Sequence, residues 1–206
     1  MTTSGARLRT APTADLSPAE LSCVRALLDD AFAGRFGDDD WSHALGGVHV
    51  LAAVDGDIVG HGSVVLRQLV AGERTLRTGY VEAVATAASW RRRGVGSAVM
   101  AEVERLVAGG FELGALSSSR QGVRFYAARG WQRWTGAVAA RHPAGRRRQP
   151  RRGGVRAADA AHPRRAGHLR PAGLRLAARR PVVRPARAGA RAGRPARRRV
   201  RCPRCP

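Results

Sequence analysis

Apolar and polar positions along the first 135 residues alternate with two different periods, and the switches between them mark out the elements. From Ser17 onward, Leu21, Val24, Leu27, Leu28 and Ala31 recur every three or four positions, the spacing of one helical face. Ser17 stands as N-cap, Pro18 opens the first turn and Glu20 closes a capping box, so SPAELSCVRALLDDAF is predicted as a helix. ARLRT before it reads as a first strand, and AGRFGDDDWSHALGG after it as a loop and a short helix ended by glycines. The period then becomes that of a sheet. VHVLAAV and IVGHGSVVLRQLV flank Asp55-Gly56, a hairpin turn pair, and TLRTGYVEAVAT supplies the next strand. GSAVMAEVERLVAGG reads as a long helix stopped at Gly109-Gly110, FELGALSSS as a strand, SRQGVRFYAARG as a helix and WQRW as the start of a last strand. There is no internal repeat, and the alternation predicts an α/β fold, a mixed central β-sheet flanked by helices.

Beyond residue 135 the pattern stops. Arg, Ala, Pro and Gly fill 56 of the 71 positions of 136–206, there is no aromatic residue, and neither period persists. Such a segment buries too little apolar area to offset its chain entropy, so disorder is expected there. The chain therefore divides into a domain over 1–135 and a low-complexity basic tail over 136–206. Charge follows the same boundary. The net charge of +22 looks like that of a nucleic-acid binder, but 1–135 holds 15 Arg against 14 acids, whereas the tail holds 22 Arg against Asp159 alone. Two readings of the tail stay open: a basic arm for RNA, DNA or anionic lipid, and GC-rich sequence translated out of frame. The second is favoured by the residue mixture and by a chain with no Lys, no Asn and Ile58 as its single isoleucine.

Cys23 fits a helical face as a small buried hydrophobe, and the terminal Cys202-x-x-Cys205 is a weak metal signal without a second pair. His43, His49 and His61 lack ligand-like spacing, so no metal is expected. Met1 to Thr10 is polar and no apolar run approaches about 18 residues, which points to a cytoplasmic chain with no membrane partner.

The stretch SWRRRGVGSAVM sets Arg91-x-x-Gly94-x-Gly96 between a strand and a helix. Glycines let backbone approach an anion, the helix N-terminus offers unpaired N–H groups, and arginines at the rim add charge-assisted bonds. The loop suits a pyrophosphate, although a glycine turn beside solvated arginines explains it as well. It is neither a Walker loop nor a Rossmann fingerprint.

With its surroundings, that loop resembles the GNAT family of acetyl-CoA-dependent N-acetyltransferases. AFAGRF, DWSHALGG, GYVEAVA, ELGALSSS and FYAARGW narrow the resemblance to the aminoglycoside 2'-N-acetyltransferases of mycobacteria and related actinobacteria. It covers about residues 6 to 135. It implies acetyl-CoA as donor, lying between the strands YVEAVA and ELGALSSS. Backbone groups of Val84 and Ala85 would meet the pantetheine arm, and Arg91, Arg92, Arg93, Gly94, Val95, Gly96 and Ser97 would cradle the pyrophosphate, with Ser97 beginning the helix. Glu82 would be the general base, Tyr126 the acid that protonates the departing thiolate, and the backbone N–H at Val84 the oxyanion donor.

The resemblance further implies a polycationic aminoglycoside as acceptor, touched by Asp40, Glu82 and Ser117, with no specific nucleic acid as partner. A homodimer stays open. Each of these residues has a plainer reading: Glu82 as a solvent-facing strand residue, Tyr126 as a core aromatic, Asp40 as part of an acidic helix start. Three departures stand out. Arg35 replaces an acid, Ala83 replaces the glycine after the glutamate, and the family's late strands, acids and terminal Trp are not recognisable in the tail.

Overall fold

The structure, a computed structural model, describes residues 5–71, 74–134, 138–142, 145–148, 155–158 and 174–176. Strand β1 (Arg7–Pro12) leads to helix α1 (Pro18–Ala31) and the short helix α2 (Asp38–Ala44). Strands β2 (Val48–Val54), β3 (Asp57–Ala71) and β4 (Arg74–Thr86) follow, then helix α3 (Val95–Gly110), β5 (Leu113–Ser117) and helix α4 (Val123–Ala127). The capping box forms as its sequence requires: Glu20 N–H donates to Ser17 Oγ at 3.2 Å, and Ser17 N–H donates to Glu20 Oε2 at 2.8 Å. Asp55 and Gly56 both take positive φ (50° and 97°), the geometry of a turn that matches the twist of β2 and β3.

These five strands lie in the order β1-β2-β3-β4-β5, antiparallel except for the parallel pair β4 and β5. The sheet is mixed and carries helices on both faces. On one face Val95, Val99, Met100, Val103 and Val107 of α3 pack on Val50, Ala52, Val64, Val81 and Leu116. The helix comes close because Gly60 and Gly62 leave room: a Cβ there would meet Val95 Cγ1 at 2.7 Å and Val99 Cγ1 at 3.1 Å. On the other face Val24, Leu27 and Leu28 of α1 pack on Ala11, Leu51 and Ala85. Farther along that face, Leu69, Leu76, Tyr80, Leu113 and Ala115 gather under Trp134.

Four more strands lie within the basic tail: β6 (Val138–His142), β7 (Gly145–Arg148), β8 (Val155–Ala158) and β9 (Leu174–Leu176). β8 runs antiparallel beside β5, and β9 pairs with the far end of β3, with β6 and then β7 beyond it. The rest of 136–206, where the sequence predicts disorder, falls outside the described residues.

Two sequence expectations need correction. No strand starts at Trp131: residues 131–134 have no regular structure. Instead Gly130 turns the chain at φ 85°, Trp131 N–H returns to Tyr126 O at 3.1 Å, and the buried indole donates to Glu104 Oε1 at 2.9 Å. Side-chain anchoring on α3 thus holds a segment whose apolar spacing looks like a strand. The long helix also begins at Val95 with Gly94 as N-cap, so Ser97 lies inside its first turn rather than at its start.

Candidate active site

β4 and β5 pair from Thr78 with Leu113 to Val81 with Leu116, and then part. β5 ends at Ser117 while β4 continues to Thr86, so Glu82 to Thr86 have no partner on the β5 side of the pair. On its other side β4 carries a bulge. Gly60 pairs with Thr86, His61 with Ala85 and Ser63 with Glu82, which sets Gly62 against both Ala83 and Val84. The extra residue reverses the alternation. Val81 and Val84 both face α3, three positions apart, while Tyr80, Glu82 and Ala85 face the opposite side. Ala83 sits at φ 53°, a region that costs a residue with a Cβ about 1–2 kcal/mol and glycine almost nothing. That is the physical reason a glycine suits this position, and Ala83 bears the strain.

Glu82 is half-buried, and Arg67 Nη2 donates to its Oε1 at 3.3 Å. Burial pushes the Glu82 carboxyl above the usual carboxylate range; Arg67 pulls it back, and the charge of Asp40 pushes it further up. Arg67 also lies over the Tyr80 ring, 5.5 Å from its centroid, and the Tyr80 hydroxyl is 3.1 Å from Ser117 Oγ. Burial raises the Tyr80 phenol as well, with the Ser117 hydrogen bond opposing it. Glu82, Arg67, Tyr80 and Ser117 therefore form one cluster where the strands part. Arg67 is absent from the sequence-based site. Its signal was strand alternation, which puts residues 61, 63, 65, 67 and 69 of β3 on the Glu82 face, but which β4 residue each one meets depends on the bulge.

Asp40 belongs to the first turn of α2, where its Oδ2 accepts from Gly37 N–H at 3.0 Å. Its helix-start reading is realised, and its charge still reaches Glu82. Asp38 is engaged with Arg25 Nη1 at 2.9 Å, and exposed Arg35 donates from Nε to Phe32 O at 3.2 Å. Tyr126 is buried on α4, edge-on to Phe125 and Trp131, with its phenol pushed up to about 12 by burial. It is a core aromatic, and it holds its proton throughout the neutral range.

The arginine-glycine loop is the most open part of the region. Arg91 to Gly94 are exposed, Arg92 and Gly94 take positive φ of 59° and 86°, and the α3 N-cap carries no side-chain hydrogen bond. The N–H groups of the first turn, at Val95, Gly96 and Ser97, precede the first helical bond, Ala98 N–H to Gly94 O at 2.9 Å. Arg91 Nε reaches Thr86 O at 3.4 Å, and a Cβ on Gly96 would lie 3.1 Å from Thr86 Oγ1 and 3.8 Å from Phe125. So the first turn of α3 abuts both the free end of β4 and α4. An elongated ligand with an anionic end fits there: N–H donors and arginines for the anion, and unpaired β4 backbone for an amide-bearing arm. The structure brings together Glu82, Ser117 and the charge of Asp40 at one end of β4, and Val84, Ala85 and residues 91–97 at the other.

Sequence and structural comparisons agree with this arrangement. Residues 15–131 match the model of the Acetyltransferase (GNAT) family. An aminoglycoside 2'-N-acetyltransferase of Mycolicibacterium fortuitum is 42% identical over 138 residues, covering 67% of this chain and 71% of the relative. Among solved structures, the GNAT family N-acetyltransferase YhbS of Escherichia coli, determined in complex with CoA, aligns over 84% of this chain and 89% of its own with a TM-score of 0.58 at 14% identity. ElaA of Escherichia coli aligns over 74% of this chain and 99% of its own, with a TM-score of 0.57 at 14% identity. Parted parallel strands beside an uncapped helix N-terminus, and a family match that spans both, lead to one conclusion: the chain belongs to the GNAT family of acetyltransferases.

Proposed function

We propose that this acetyltransferase moves the acetyl group of acetyl-CoA to the 2'-amino group of a polycationic aminoglycoside. The observation that carries the acceptor is the 42% identity to the Mycolicibacterium fortuitum enzyme over 138 residues. In this reading the first-turn N–H groups of α3 with Arg91, Arg92 and Arg93 hold the pyrophosphate, and Val84 and Ala85 present backbone to the pantetheine arm. Acetyl-CoA supplies an activated acyl group and a thiolate leaving group. The protein's share is to take a proton from the amine, to stabilise the oxyanion and to return a proton to the thiolate.

Glu82 suits the first task, because burial keeps its basicity above that of an exposed carboxylate. Val84 N–H, at the bulge beside Glu82, suits the second. Tyr126, protonated at neutral pH, suits the third. Asp40 and Ser117 flank Glu82 on the acceptor side.

The Arg67 guanidinium beside Glu82 favours a second reading, in which the acceptor is a small amine of lower charge. Thiol release from acetyl-CoA separates the two. An aminoglycoside bearing a 2'-amine should be turned over, and one with a 2'-hydroxyl should not. Equal turnover of both, or turnover of simple monoamines alone, would refute the aminoglycoside assignment.

A further inference from the structure

Two buried histidines lie outside every role assigned so far. His49 on β2 and His61 on β3 are both 0% exposed, on the same sheet face as Glu82, with ring centroids 5.2 Å apart. They form a chain of hydrogen bonds. His61 Nδ1 is 2.8 Å from Ala83 O, His61 Nε2 is 2.9 Å from His49 Nδ1, and His49 Nε2 is 2.8 Å from Thr13 Oγ1. A carbonyl oxygen only accepts, so His61 Nδ1 must carry the proton. Burial holds both imidazoles neutral, His49 down to about 4 and His61 down to about 3, with the Ala83 hydrogen bond opposing at His61. His61 Nε2 is then an acceptor, His49 Nδ1 a donor and His49 Nε2 an acceptor for the Thr13 hydroxyl. Gly46 N–H completes the chain by donating to Thr13 Oγ1 at 2.9 Å. Every tautomer in the chain follows from the Ala83 carbonyl.

That carbonyl belongs to the strained residue of the bulge. Next to it, Ser63 Oγ donates to Glu82 O at 3.4 Å, so two β3 side chains flanking Gly62 hold two successive β4 carbonyls. Gly62 itself faces α3. The bulge decides that Glu82 and Val84 point to opposite sides of the sheet, and a glycine would adopt φ 53° unaided. With alanine there, an external hold matters. We propose that His61, oriented by His49 and Thr13, is a positioning residue that keeps Ala83 in its left-handed conformation and so sets the Val84 and Ala85 backbone against the Glu82 carboxylate. The catalytic part of this inference rests on the acetyl-transfer reading above; the conformational part does not.

The test uses the full chain. Imidazole nitrogen NMR of the unsubstituted protein should find both His49 and His61 as the Nδ1–H tautomer; Nε2–H on either ring overturns the proposal. His61→Asn keeps a side-chain N–H near the Nδ1 position, whereas His61→Leu removes it. Amide resonances of Ala83, Val84 and Ala85 should move in His61→Leu and stay close to the parent positions in His61→Asn.

For activity, kcat in His61→Leu should fall by about 10²-fold, the effect of misplacing reacting groups by about an ångström, with a smaller change in acceptor KM. His61→Asn should retain most of kcat. Adding Ala83→Gly to His61→Leu should recover most of the loss, since glycine needs no hold. Equal kcat in the Leu and Asn variants, or no recovery on adding Ala83→Gly, overturns the positioning role. The tautomers and amide shifts need no ligand. A chain that passes those two arms yet binds no coenzyme A would refute the transfer reading while supporting the hold on the bulge.

Discussion

Acid should unfold this protein earlier than its carboxylates alone would, and the amount follows from the two buried imidazoles. In the unfolded chain His49 and His61 titrate at the ordinary 6.5; in the folded state burial takes them down to about 4 and about 3. A histidine whose folded pKa is depressed gives full stability above 6.5 and loses it as pH falls, because the unfolded chain binds the proton first. At pH 5 both imidazoles are still mostly neutral when folded and mostly charged when unfolded. Each therefore costs about 2 kcal/mol relative to pH 7.5, a figure set by the unfolded value and nearly independent of how far down the folded one lies. Together they remove about 4 kcal/mol, a large part of the 5–15 kcal/mol typical of a folded domain.

Glu82, with its raised pKa, binds its proton more readily when folded and works in the opposite direction. The perturbation is therefore a comparison of slopes. Urea unfolding of the parent and of His49→Gln/His61→Asn, at pH 7.5 and pH 5, leaves every other group common to both proteins. Whatever the double substitution costs at pH 7.5, its loss of stability between the two pH values should be smaller by about 4 kcal/mol. Parallel losses would refute the buried neutral pair.

Gly94→Val and Gly96→Val should each weaken coenzyme A binding in calorimetry, the first by straining φ 86° and the second by crowding Thr86 Oγ1; unchanged affinity in both would refute the anion site. Glu82→Gln should lower turnover by about 10²–10⁴-fold with coenzyme A affinity retained, and should remove an acid limb of kcat/KM that lies above the ordinary carboxylate pKa because burial raises Glu82. Trp131→Ala should cost about 3–5 kcal/mol in urea unfolding, since it empties a buried ring site and frees Glu104; a cost under about 1 kcal/mol would mean the indole is not an anchor.

The secondary structure of the first 130 residues was readable because its signals are local. A capping box, an Asp-Gly turn and a run of valines at helical spacing act over a few residues, and each formed where its residues require. Trp131 to Trp134 misled because the same bulky residues serve a strand or a side-chain anchor, and the choice was made by Glu104, 27 positions earlier.

The site divides in the same way. Arg91-x-x-Gly94-x-Gly96 announces an anion cradle from sequence, because backbone approach and an open helix start depend on adjacent residues. Glu82, Tyr126, Val84, Ala85, Asp40 and Ser117 came instead from resemblance to a family. Arg67, the Tyr80–Ser117 contact and the His61–Ala83 hold were visible in neither. They depend on the β3–β4 register, and one extra residue at Ala83 and Val84 shifts every pairing beyond it. The sequence thus determined which segments are helix or strand, where the anion loop lies and where the charge sits. Only the tertiary structure decided which side chains surround Glu82, since a bulge is a cross-strand event and His61 reaches Ala83 across 22 residues of chain.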